Sequence, residues 1–166
     1  KEVIPCTWRA VSDFSEYLAA VQDYDSRKCG FIDVTGRVLI PCTWDKAWPF
    51  HEGLARVQKD LRIGLVDYSG RLVIPCTWNG MGDCSEGLIS IMDDAGMCGY
   101  IDRSGEVVIP CRWKQAWTFK EGLAAVQDSS KRIGFIDKRG KVVIPCRWKR
   151  AYSFENGVAK VSDSKN

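Results

Sequence analysis

Eight cysteines, one histidine and two recurring acids are the side chains through which this chain could do chemistry. Thiols at metal-ligand spacing would hold zinc, facing thiols would form disulfides, and carboxylates gathered in loops would bind calcium or carry protons. The closest cysteines, Cys76 and Cys84, are eight residues apart, whereas zinc ligands come in pairs two to four apart. Cys6, Cys42, Cys76, Cys111 and Cys146 hold one position of a repeating segment. Whole units therefore separate them, and a disulfide needs Cα atoms about 4.4–6.8 Å apart. Cys29, Cys98 and Cys84 read as small hydrophobes in core sites. The cysteines are thus expected to be buried free thiols, without metal or other cofactor, which favours a reducing compartment such as the cytoplasm, or an anaerobic source, over an oxidising one, and leaves the localisation open. Asp33, Asp67, Asp102 and Asp137 each supply one acid to a turn, too few oxygens for a calcium loop, and read as turn residues. Glu16, Glu52, Glu86 and Glu121 fall at a tight bend, where a carboxylate can bond backbone amides. His51 occupies a slot that holds Ser15, Ser85, Lys120 or Glu155 in the other copies, and reads as a solvated histidine. No titratable cluster breaks the pattern in one place, so no catalytic residue is expected and the chain reads as a non-enzyme.

The elements that position these residues come from a repeat. Ile-Pro-Cys occurs five times, at steps of 36, 34, 35 and 35 residues, and tryptophan follows two positions later as Trp8, Trp44, Trp78, Trp113 and Trp148. Between these stand Phe50-His51-Glu52-Gly53, Cys84-Ser85-Glu86-Gly87 and Phe119-Lys120-Glu121-Gly122, with altered outer copies Phe14-Ser15-Glu16-Tyr17 and Phe154-Glu155-Asn156-Gly157. A glycine, two apolar residues, aspartate, two variable residues and a second glycine recur at Gly30–Gly36, Gly64–Gly70, Gly99–Gly105 and Gly134–Gly140. Leu54-Ala55-Arg56-Val57 and Leu123-Ala124-Ala125-Val126 alternate like half-buried strands. Gly134-Phe135-Ile136-Asp137 and Lys141-Val142-Val143-Ile144 flank an Asp-x-x-Gly connection and predict a hairpin, with the last glycine at positive φ. The proline, lacking an N–H, belongs at a strand end or edge. Ala47-Trp48-Pro49-Phe50 and Ala116-Trp117-Thr118-Phe119 could supply a short fourth strand.

These residues resemble the WG repeat, also called the KWG repeat, a bacterial tandem motif of a Gly-aromatic-Ile-Asp hairpin, Val-Ile-Pro and Phe-x-Glu-Gly-Leu-Ala. The tryptophan that names the family is here Cys29, Ile63, Cys98 or Ile133, and the tyrosine after Ile-Pro is replaced: tryptophan follows the cysteine throughout. The resemblance implies a β-rich repeat domain and brings no active-site residue with it. The fold class is therefore all-β, built of tandem repeats of about 35 residues with three to four short antiparallel strands. Five units could close as a five-bladed propeller-like ring, which the pattern favours, or stack as an open β-solenoid. Residues 1–166 read as one repeat domain of about five units, the first and last incomplete. Because the numbering opens at Lys1 inside a motif, the sequence reads as processed or excerpted.

Composition narrows the function classes. The chain has 166 residues, 45% of them hydrophobic and 27% charged, with a net charge of +3. No apolar run approaches the roughly 18 residues of a membrane helix. The run Lys131–Arg150 holds eight bases against Asp137 and could meet an anionic surface. It carries neither a phosphate loop nor a nucleic-acid motif, and a nucleic-acid partner is not expected. The five repeated tryptophans read as packing, with a partly exposed binding row as the alternative. Trp48 and Trp117, whose position is Tyr152 or non-aromatic elsewhere, are better contact candidates. With His51, Lys120, Arg112, Lys114, Arg147 and Lys149 they form the candidate binding set, on a scaffold that recognises a protein or peptide. The alternatives are a carbohydrate-binding or cell-surface structural array, and, as a minor one, an enzyme with its site at the mouth of a ring.

Overall fold

The computed structural model describes residues 7–163, so Ile4-Pro5-Cys6 lies outside the described residues. Two compact units divide between Thr77 and Trp78. In the first, β1 (Trp8–Val11), β2 (Leu18–Asp23), β3 (Cys29–Asp33) and β4 (Val38–Trp44) form one antiparallel sheet in chain order. β5 (Lys46–His51), β6 (Leu54–Lys59), β7 (Arg62–Val66) and β8 (Leu72–Trp78) form the next. In the second unit, β9 (Gly80–Met81), β10 (Leu88–Met92), β11 (Cys98–Asp102) and β12 (Val107–Trp113) repeat the pattern. So do β13 (Gln115–Ala116), β14 (Leu123–Gln127), β15 (Ile133–Asp137) and β16 (Val142–Trp148), and β17 (Arg150–Ala151) with β18 (Val161–Ser162) makes a two-stranded sheet. There is no helix among the described residues. The fold is all-β, with each four-stranded sheet the size and topology of a propeller blade. Trp48 does lie in the expected extra strand, β5, whereas β13 stops at Ala116.

Two turns set the sheets. At the Asp-x-x-Gly turn the Asp33 carboxylate accepts from the Thr35 hydroxyl at 2.6 Å, the Thr35 amide at 2.8 Å and the Arg37 amide at 3.1 Å. The closing Gly36 takes φ of 85°. Asp67 and Asp102 make the same three bonds. At the Glu-Gly turn both central residues are left-handed, as at Glu86 (φ 53°) and Gly87 (φ 80°), which is the two-residue hairpin geometry that matches strand twist. The hydroxyl bonds, foremost, hold the Asp33, Asp67 and Asp102 carboxyls below the usual carboxylate range. A depressed folded pKa contributes stability that is complete above the unfolded value of about 4 and is lost as pH falls through the folded one. Thermal melting should therefore fall below about pH 4, and asparagine at all three positions should flatten that fall in circular-dichroism melts.

The other repeated glycine is fixed by contact. β4, β8, β12 and β16 are outer strands, and opposite Gly30, Gly99 and Gly134 their register slips. The slip tolerates the proline, which has no N–H to give. It also lays the backbone over the glycine: a Cβ on Gly64 would stand 2.4 Å from the Ile74 oxygen and 2.8 Å from the Cys76 nitrogen. The Cys76 thiol passes across Gly64 and donates to the Val57 carbonyl at 3.8 Å, and Cys146 does so to Val126 at 3.9 Å.

The core lies between successive sheets within each unit. Phe31 meets Phe50 edge to face with centroids 4.9 Å apart, in a cluster with Leu18, Ile40, Val57 and Val66. Tyr100 and Phe119 repeat that contact at 4.9 Å, and Phe135 meets Phe154 at 5.0 Å. The repeated glutamates clamp the same seams. Glu16 accepts the Gly53 amide at 2.9 Å, Glu86 the Gly122 amide at 3.1 Å, and Glu121 the amides of Asn156 and Gly157 at 2.7 and 2.8 Å. The expected carboxylate–amide bond is present, but the amide belongs to the following repeat.

All seven described cysteines are free thiols. Cys84 is buried, and the other six are half-buried rather than buried; Cys42, Cys76, Cys111 and Cys146 lie on strands with a sheet neighbour on one side only. Burial pushes the thiols of Cys29, Cys42, Cys76, Cys98, Cys111 and Cys146 up from their ordinary value. Since the thiolate is the nucleophile, a thiol reagent at pH 7.5 should label the folded protein slowly and the urea-unfolded protein at least tenfold faster.

Candidate binding clefts

In the first unit the outer strand β1 and its neighbour β2 leave a cleft of about 500 Å³ against the start of β5. Val11, Ala20, Val21, Cys29 and Ala47 make its floor and Trp48 one wall. Small residues at 10, 20 and 47 keep the space open. Asp45, which also lines the cleft, forms an ion pair with Lys28. The bond to Lys28, foremost, holds the Asp45 carboxyl down, and the same bond raises Lys28. The second Asp45 oxygen accepts the Asp60 amide at 2.8 Å. The Arg56 guanidinium lies 5.1 Å from the centre of the Trp48 ring. An apolar floor, one indole wall and a few charged groups at the rim can seat an apolar side chain and orient the backbone around it.

The second unit has a smaller cleft of about 250 Å³ at the matching strands, lined by Met81, Ile91, Met92, Cys98 and Ala116 among others. Met81 and Met92 stand where the first unit has Val11 and Gln22, and Ser90 where it has Ala20. Trp117, matching Trp48, is 37% exposed just beyond this lining. Its carbonyl accepts from the Tyr100 hydroxyl at 2.6 Å.

The candidate set from the sequence is distributed as follows. Trp48 lines the larger cleft, and His51 is exposed at the end of the same strand. Trp117 and Lys120 hold the corresponding places in the second unit, Lys120 at its hairpin. Arg112 and Lys114 flank Trp113, and Arg147 and Lys149 flank Trp148. Arg112 lies 5.0 Å from the Trp113 ring centre and donates to the Gly140 carbonyl at 2.8 Å, while Arg147 lies 4.3 Å from that of Trp148. Both arginines thus sit over the repeated tryptophans, of which Trp113 is buried and Trp8, Trp44, Trp78 and Trp148 half-buried. Part of the basic run is engaged internally: Lys138 pairs with Glu86 at 3.0 Å and Arg132 with Asp163 at 3.4 Å. Lys28, Asp45 and Arg56 were missed because no repeat position singles them out. Tyr17 had a visible signal, since Gly53, Gly87, Gly122 and Gly157 occupy its place in the other copies.

No helix among the described residues is long and apolar enough to cross a membrane, and no group of three metal-ligating side chains gathers among them. A family model described as WG containing repeat matches residues 30–60, 63–94, 99–131 and 133–164. No curated protein matches the chain. Among solved structures, the computationally designed Ika4 protein is 11% identical, over 82% of this chain and 98% of that one, with a TM-score of 0.55. BamB from Moraxella catarrhalis is 11% identical over 91% of this chain and 53% of that one, at 0.52. The WD40 beta propeller domain of Doa1 is 12% identical over 78% and 51%, at 0.45. The chain thus spans about half the length of the last two. At these identities the likeness, which rests on the first two, is one of fold.

Proposed function

Because the chain belongs to the WG containing repeat family, we propose that it is a non-catalytic binding scaffold. Its sheets hold a frame, and residues that depart from the repeat contact a protein or peptide. The Trp48 cleft carries this reading. It joins an apolar floor, an indole wall and the Lys28–Asp45 pair at a place where the matching cleft of the second unit is half the volume. Frame residues are committed to turns, seams and core, which leaves the variable positions to recognition. A peptide-library selection against the purified chain tests it. Selected peptides should carry a recurrent apolar anchor, and Trp48→Ala with Val11→Ser should lower their affinity at least tenfold while moving the melting temperature by less than about 3 °C. Failure to select any peptide, together with specific retention on a glycan array, would replace this reading with carbohydrate binding.

A further inference from the structure

A second cleft, of about 390 Å³, opens in the first unit where two residues break the repeat together. Tyr17 occupies the position of glycine in the other copies, with φ of 67°, a left-handed conformation that an aromatic residue adopts at a cost. Its side chain is 83% exposed. Tyr68 follows the turn aspartate, where the other copies have Val34, Arg103 and Lys138. Its ring stacks on Phe50 at 4.9 Å, and its hydroxyl donates to Glu16 at 2.8 Å. Leu39 and Val34, 43% and 51% exposed, add an aliphatic wall, and the carboxylates are Glu16 and Asp33. Among the described residues, the lining of the cleft contains no basic side chain. Burial, the largest single influence, would raise the Glu16 carboxyl, but bonds from the Gly53 amide, the Tyr68 hydroxyl and the Glu52 amide, with a smaller contribution from the charge of His51, together hold the group below its usual range. The Thr35 hydroxyl does the same for Asp33, with a smaller contribution from the charge of Arg37.

The geometry points to a site for an arginine side chain carried by an extended segment of a partner protein. A guanidinium is planar, stacks on aromatic rings and donates in the plane to carboxylates, so two tyrosines beside two carboxylates suit it better than a compact ammonium. The aliphatic wall would take the residue next to the arginine. The site is separate from the Trp48 cleft and does not depend on it.

Calorimetric titration with the peptide acetyl-Gly-Leu-Arg-Leu-Gly-amide and its citrulline counterpart provides the test. The arginine peptide should bind saturably below about 1 mM, and the uncharged citrulline peptide at least tenfold more weakly. Tyr17→Gly restores the residue of the other repeats. It should weaken binding at least tenfold while melting at or above the temperature of the parent chain, a combination that a purely structural tyrosine would not give. Tyr68→Val, which copies Val34, should weaken binding to a similar degree. Absence of saturable arginine-peptide binding, equal affinity for citrulline, or undiminished binding by both variants would overturn the assignment. So would occupation of the cleft by a neutral glycan. None of these results bears on the Trp48 peptide selection, which reads different residues.

Discussion

Gly99→Ala should destabilise the protein by about 3 kcal/mol or more, in the upper range for overpacked positions. The added methyl would stand 2.4 Å from the Ile109 oxygen, 2.7 Å from the Cys111 nitrogen and 2.8 Å from the Pro110 carbon. All three are backbone atoms of the slipped outer strand, so no side chain can swing aside. Relief requires β12 to lift from β11, which would break the ladder and withdraw Ile109 from the core that contains Tyr100 and Phe119. Gly122→Ala is the control. Gly122 has φ of 77° and nothing within 4 Å of a new Cβ, so only the left-handed strain of about 1 kcal/mol applies. Urea denaturation of the two variants should separate their midpoints clearly, with Gly99→Ala the weaker. Equal midpoints would mean that the glycine is needed for its backbone angles instead of the strand above it.

Phe119→Ala should cost about 3–5 kcal/mol, the range for deleting a fully buried aromatic ring. Phe119 is completely buried and meets Tyr100 edge to face. The ring comes from the segment that leads into the Lys120 hairpin, and Tyr100 belongs to the preceding sheet, so the deletion opens a seam between sheets. The neighbouring aromatic offers the contrast. Trp117, at 37% exposure, should lose less than about 1 kcal/mol on truncation. Chemical denaturation followed by tryptophan fluorescence reads the first, and circular dichroism the second, in which one of the seven tryptophans is removed. A Phe119 variant as stable as the Trp117 variant would show that the seams do not hold the sheets together.

The architecture was legible in the sequence because its determinants are local and periodic. Alternation in Leu123-Ala124-Ala125-Val126 is read from one segment, and the aspartate and glycine of each turn act within a few residues of each other. What was not legible acts across strands or seams. Nothing in the order of letters says that Gly64 lies under the backbone of Ile74 and Cys76, or that Glu86 accepts from Gly122 instead of an amide of its own bend. The cysteines show the same limit. Their chemistry as free thiols followed from spacing, whereas their half-exposure depends on which strand is outermost. For the candidate site, departure from the repeat identified Trp48 and passed over Tyr17, because an altered outer copy reads as decay until its neighbours in space are known.

The family repeat and the sheet are out of step: the first match, residues 30–60, runs from the third strand of one sheet through the second strand of the next. Excising Gly30–Ile63 from the gene would join the first pair of strands in one sheet to the last pair of the following one, and the halves are interchangeable by design of the motif. Duplication or loss of a copy therefore leaves no strand orphaned. Loss or gain of a copy inside the array keeps the four-stranded sheets four-stranded and changes only their number and which recognition residues they carry.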